Sequence, residues 1–308
     1  MREFLTPDSD VDTLRFLTSS SSNLVVGLEG EDDWKLLHGW VSSKITFYLS
    51  SAGKEGLLKA AHDAHTMDSL HAIFVVDRDF DDFLESAPLH PHNVISTHHH
   101  DCFVDIVFES PETLVRAVES KLKSSSSAMS DHSLDTFSRA SDIVASAIRL
   151  AKHKAVVRAV AARRSIGLDF KTYSFFKQPT SEVTSEAIYE ALSSRYQGRK
   201  TLPSNTSELI SLATTELDSL DYSPVGDHDL IEAVRAILKE QFKICLSEEA
   251  FRNLIILTFT VSHFSKAHWC AHIASWAKQF DVDLFVEQKA PSYLSTLIPS
   301  TTQLVQSF

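Results

Sequence analysis

The stretch HAIFVVDRDFDD, residues 71–82, sets the apolar run Ile73 to Val76 directly before four aspartates, Asp77, Asp79, Asp81 and Asp82. A short apolar run rich in valine and isoleucine reads as a strand buried on both faces. Carboxylates crowded on the turn after it repel one another and push their own pKa values up unless a cation sits among them.

Working outward, NLVVGL (23–28), ITFYLS (45–50) and NVIS (93–96) read as further strands. EDDWKLLHGWVSS and GKEGLLKAAHDAH between them carry helical periodicity. Strands alternating with helices imply βαβ units, a mainly parallel Rossmann-like sheet and right-handed crossovers. Functional residues of such a sheet lie just beyond the carboxyl ends of its strands. After a helix over 110–123, SSSSAMSD (124–131) reads as a polar linker. From residue 138 on, the periodicity predicts helices over 139–164, 182–195, 205–218, 227–241, 247–262 and 266–279, with YSFF (173–176) and VDLFVE (282–287) as short strands. The fold class expected is therefore α/β, with an N-terminal sheet domain over 1–125 and a mostly α-helical domain over 126–308.

Helix capping accounts for Asp79, or for Asp81 and Asp82, but not for all four acids. A divalent metal, Mg²⁺ or Mn²⁺, held by hard oxygen ligands is the economical answer. An EF-hand loop starting at Asp77 would need Gly where Asp82 stands and Glu where Pro88 stands. The upstream NLVVGLEGEDDW adds Glu29 at the end of the first strand and Asp33 at the start of a helix. Two acidic strand ends facing each other would form a pocket suited to metal-assisted phosphodiester chemistry. The expected ligand set is Glu29, Asp33, Asp77, Asp79 and Asp81, with Glu29, Asp77 and Asp79 catalytic and Glu29 the general base or acid.

At these residues the sequence resembles the TOPRIM fold of topoisomerases, DnaG-type primases and OLD-family nucleases. That family's signature is a Glu after the first strand and a DxD after a later one, matched by Glu29, Asp77 and Asp79. LEGEDDWKLL, SSAGKEGLL, FVVDRDFDD and HDLIEAV further resemble TOPRIM proteins with a helical C-terminal domain encoded beside an ABC-type ATPase, such as the AriB-type effectors of PARIS anti-phage systems. The resemblance implies a toxic Mg²⁺-dependent nuclease, homodimeric when active, held in check by the ATPase and cutting RNA (tRNA in particular) or DNA. Where relatives carry Asp and, two residues later, Glu after the fourth strand, this chain has Asp101 and Phe103, with Asp105 one turn on. Asp227 stands where a Gly would precede HDL, and Gly226 lies one residue earlier. The alternatives are a non-catalytic TOPRIM-like assembly module and a haloacid-dehalogenase-like phosphatase, although the DxDxT of the latter has Asp81 in place of Thr.

The net charge of −12 argues against a protein that coats nucleic acid with its whole surface. The acid-free segment 143–168 contains Arg149, Lys152, Lys154, Arg158, Arg163 and Arg164 on a helical pattern, and reads as an amphipathic helix with a cationic outer side for nucleic acid or an acidic partner. SSAGKEG (50–56) lacks the glycine and hydroxyl spacing of a P-loop, which excludes ATP hydrolysis and leaves Lys54 a surface lysine or a phosphate contact. His100, beside Asp101, is a further phosphate contact; Asp101 and Asp105 are candidates for a second metal site. Neighbouring histidines at 90, 92 and 98–100 do not reach one ion easily and have no partner at a zinc spacing, so no structural zinc is expected. His263, His268, Trp269 and Trp276 read as core or interface residues. The three dispersed cysteines, Cys102, Cys245 and Cys270, fit a reducing compartment. With no apolar leader in MREFLTPDSD and an apolar run at 254–264 too short for a bilayer, a cytoplasmic protein without membrane contact is expected.

Overall fold

The structure, a computed structural model of the chain, describes residues 12–14, 16–17, 23–66, 71–84, 90–125, 135–198 and 202–286. Four parallel strands form one sheet: β1 (Leu24–Leu28), β2 (Ile45–Leu49), β3 (Ala72–Val76) and β4 (Val94–Ser96), in the order β2-β1-β3-β4. All five residues of β1 and of β3 are buried, as unbroken apolar runs in a parallel sheet require. Side chains alternate between two layers. Val26, Leu28, Ile73 and Val75 meet Leu36 and Leu37 of α1 (Glu31–Leu37) on one face. Val25, Phe74 and Val76 meet Leu57, Ala60, Ala61 and Ala64 of α2 (Gly53–His65) on the other. The chain leaves β1 for one neighbour, β2, and then crosses back to β3 on the opposite side. Right-handed crossovers in opposite directions put α1 and α2 on opposite faces.

The remaining helices stack on the α1 face: α3 (Cys102–Glu109), α4 (Glu112–Lys123), α5 (Thr136–Arg163), α6 (Ser185–Ser193), α7 (Thr206–Ser219), α8 (Asp227–Phe242), α9 (Glu248–Ile256), α10 (Val261–Phe264) and α11 (His268–Lys278). One continuous apolar cluster runs from Leu24 in β1 to Leu284, so the expected boundary at residues 125/126 is not marked by any gap in the core. Of the expected linker, residues 126–131 lie outside the described residues.

Several local expectations are corrected. YSFF forms no strand: Phe175–Lys177 is a single 3₁₀ turn capped by Ser174, whose hydroxyl accepts from the Phe176 N–H. In VDLFVE, Phe285 makes only an isolated antiparallel bridge with Val41, and Glu287 lies outside the described residues. The helix expected over 247–262 ends at Ile256. A new start follows at Thr260, whose side chain and that of His263 form a reciprocal capping box. Cys102–Glu109, unassigned from sequence, is a helix capped by Asp101, which accepts from the Val104 N–H.

Gly27 pairs with Phe74 across β1 and β3, and the ring fills the place of a side chain: a Cβ on Gly27 would lie 2.3 Å from Phe74 Cδ1. Phe74 is wholly buried and cannot step aside. Gly27→Ala should therefore lower unfolding stability by roughly 1–3 kcal/mol, the usual cost of overpacking, as measured by urea denaturation.

Candidate metal centre

The chain moves from β1 to one side of the sheet and returns to β3 on the other, so the parallel strands β1 and β3 are neighbours whose carboxyl ends form the topological switch point. Glu29 is the first residue after β1 and Asp77 the first after β3. The Asp77 N–H donates to Glu29 Oε1 at 2.8 Å, which fixes the glutamate across the fork. Asp33 rises into the same space from the first turn of α1. Oxygens of Asp33 and Asp77 and the Cys102 Sγ lie within 4.8 Å of one another, the only such group of three among the described residues. The N-terminus of α3 closes the floor, where the Cys102 N–H donates to Asp77 Oδ1 at 3.2 Å.

The four aspartates of the opening stretch are sorted by partner. Lys54, from the first turn of α2, ion-pairs with Asp79 (3.1 Å) and Asp81 (2.9 Å) and donates to the Asp77 carbonyl at 2.5 Å. Lys54 is thus a part-buried counter-cation and not a surface lysine. Asp82 pairs with Arg78 at 2.9 Å and accepts from the Tyr222 hydroxyl at 2.6 Å. Asp79 adopts a left-handed backbone (φ 51°), a conformation that Asp tolerates better than most residues, with its N–H donated to the His100 carbonyl. Among the described residues no lysine or arginine ion-pairs with Asp77 or Asp33.

The electrostatics follow. Burial, reinforced by the charges of Asp101 and Glu29, pushes the Asp33 carboxyl up to about 7. Burial and the charges of Asp33, Asp101 and Glu29 hold Asp77 well above the carboxylate range. Burial, with help from Asp79, raises Glu29 to about 7 against the hydrogen bond from Asp77. The Cys102 thiol is also pushed far up, first by burial, and stays protonated beside these acids. The carboxylates of Asp33 and Asp77 beside it offer hard oxygens, which fit Mg²⁺ or Mn²⁺.

The other expected residues divide. Asp101 caps α3 and also accepts from the Asp227 N–H at 2.9 Å, so it borders the acidic group. His100 lies 3.2 Å from Asp101 and 4.0 Å from Asp79. Burial opposes its protonation, but its hydrogen bond to Asp101 and the nearby charges outweigh this and raise its pKa. Asp105 is not available as a second-site ligand: it is wholly buried, and its two oxygens accept from the main-chain N–H groups of His98 (3.1 Å) and His99 (2.5 Å). Asp81 likewise belongs to Lys54 and not to the Asp33–Asp77 group. Phe103 is buried against Phe259, with Arg252 5.1 Å above its ring.

The cationic outer side expected on α5 is corrected. Lys154 to Val157 are all buried, so at that level the helix has no outer side. Lys154 pairs with Asp229 (2.7 Å) and Glu232 (3.5 Å), Arg158 with Asp229 (3.0 Å), Arg163 with Glu216 (2.5 Å) and Lys152 with Asp218. The acids absent from the local sequence arrive from α7 and α8. Only Arg149 and Arg164 of the six are exposed.

Sequence reasoning passed over Asp227 as a site residue. It sits at the start of α8 and pairs with Arg252 at 2.6 Å, and burial together with the charge of Asp101 raises its pKa. The signal was its place beside HDLIEAV, next to Gly226, where an added Cβ would lie 3.1 Å from the His100 ring. Among the described residues no helix is long and apolar enough to cross a membrane. No protein-family model, curated protein or solved structure matches the chain.

A carboxyl whose pKa is raised on folding keeps its proton at a pH where the unfolded chain has lost it. Folding is therefore penalised progressively as pH climbs from about 4, and fully above about 7. Asp33→Asn should raise the stability of the metal-free protein by roughly 1–3 kcal/mol at pH 8. At pH 5 the gain should be smaller; urea titrations at the two pH values measure both.

Proposed function

We propose that the chain is a metal-dependent phosphodiesterase of TOPRIM type, a nuclease. The observation that carries the reading is the half-buried Asp33–Asp77 pair, left without a lysine or arginine partner among the described residues, beyond the carboxyl ends of adjacent parallel strands and faced by Glu29. Asp77 and Asp33 would hold a divalent ion, which when bound supplies Lewis-acid polarisation of a phosphoryl oxygen and lowers the pKa of a bound water. Glu29, poised near neutrality with one oxygen anchored by the Asp77 N–H, can take or return a proton at the other oxygen. Lys54 holds the 77–81 turn in place. His100, its basicity raised by Asp101, can donate to a phosphate oxygen.

The resemblance to effectors encoded beside ABC-type ATPases supports an RNA substrate, tRNA foremost, and restraint by such an ATPase in a cytoplasmic anti-phage system. It also supports division of the chain into a TOPRIM domain and a helical domain. The second reading, a binding or assembly module without catalysis, is favoured by Phe103, which removes one carboxylate of the family pattern.

Purified protein incubated with Mg²⁺ or Mn²⁺ and separately with tRNA, single-stranded RNA and duplex DNA should cut at least one of them, and EDTA should stop it. Asp77→Ala and Glu29→Ala should each lower the cleavage rate about a hundredfold or more, with circular dichroism unchanged. Cleavage at the wild-type rate by either variant would contradict the mechanism. Metal binding without cleavage of any of the three would favour the assembly module.

A further inference from the structure

A cavity of about 770 Å³ lies between the β4 edge of the sheet and α11, apart from the acidic fork. His90, His98, His268 and His272 line it, with Arg78 and Asp81 at the side nearest the fork. His268 and His272 are one turn apart on α11, and their ring centres are 4.3 Å apart. His98, on the loop after β4, faces His268 at 6.1 Å. We infer that His98, His268 and His272 form a binding site for a borderline transition metal ion, Zn²⁺ in the first instance, that fastens α11 to the open edge of the sheet.

Two imidazoles bound to one tetrahedral ion at Zn–N distances of about 2.0–2.1 Å have ring centres about 5 Å apart, and the two observed spacings bracket that value. Residues i and i+4 of a helix share one face, so the α11 pair is a ready bidentate clamp. As placed, the three rings do not turn their nitrogens to one point, so binding requires rotation about χ2, a broad and inexpensive torsion. His268 and His272 are exposed and free to make it.

An anion is the weaker occupant. The one guanidinium in the cavity, Arg78, is committed to Asp82 and to the His98 carbonyl at 2.9 Å and lies 3.9 Å above the Tyr222 ring. His90, His98, His268 and His272 instead offer imidazole nitrogens, a ligand type that suits Zn²⁺. The sequence reading set zinc aside because the loop histidines had no partner at a zinc spacing. The fold supplies that partner from 170 residues further along the chain, since His98 meets His268.

The test uses full-length protein carrying Asp77→Asn, which disables the acidic fork, titrated with Zn²⁺ alone by calorimetry and by thermal shift. The expected result is saturable binding of one ion per chain with a rise in Tm. Adding His268→Ala and His272→Ala together should weaken binding about tenfold or more. His98→Asn should weaken it too, while circular dichroism stays unchanged. No saturable binding in the Asp77→Asn protein would overturn the inference. Binding undiminished by the double histidine substitution would overturn it equally.

Discussion

Two half-buried carboxylates with no lysine or arginine partner among the described residues, Asp33 and Asp77, set the terms for everything around them. Burying like charges together is unfavourable, and a fold retains such a pair only where the surroundings over-determine it. Here β1 and β3 do so: their continuous apolar runs fix the register, and the residues that follow cannot avoid meeting. The Asp77 N–H anchors Glu29, the N-terminus of α3 supports Asp77, and Lys54 takes up the surplus charge of Asp79 and Asp81. What remains uncompensated is the space between Asp33 and Asp77, where a hard divalent cation fits.

The helical part of the chain is tied to this fork, not appended to it. Asp227 at the start of α8 donates its N–H to Asp101, and Arg252 of α9 neutralises Asp227 while covering Phe103. Buried pairs of Lys154 and Arg158 with Asp229 then lock α8 onto α5. The position of Asp101, and with it the field felt by Asp33 and Asp77, depends on helices more than a hundred residues downstream. Removing one partner from the Lys154–Asp229–Arg158 group would leave a buried charge unpaired, which is far costlier than losing a surface pair.

The sheet was legible because its evidence is local. Ile73 to Val76 and Leu24 to Leu28 are apolar at every position, each is followed at once by an acid, and α2 covers its expected span, 53–65. Glu29, Asp33 and Asp77 could be read for the same reason. Contacts made at long range could not. Lys54 lies 25 residues from Asp79, and nothing near either residue signals that they pair. The cations of α5 looked free because their acids come from α7 and α8. In α3 the residues Cys102 to Val107 are buried on every side, so the period that betrays an amphipathic helix is missing. His268 was read as a core or interface residue; it is not in the core but exposed at the mouth of a cavity.

The central claim is that the Asp33–Asp77 gap is completed by a divalent cation. Crystals grown with Mn²⁺ and measured at a wavelength where manganese scatters anomalously would locate it directly. The account expects an anomalous peak at about 2.1–2.3 Å from carboxylate oxygens of Asp33 and Asp77, with Glu29 coordinating directly or through water. A peak only among the histidines of α11, or an Asp33–Asp77 gap holding nothing but water at millimolar Mn²⁺ and pH 8, would contradict it.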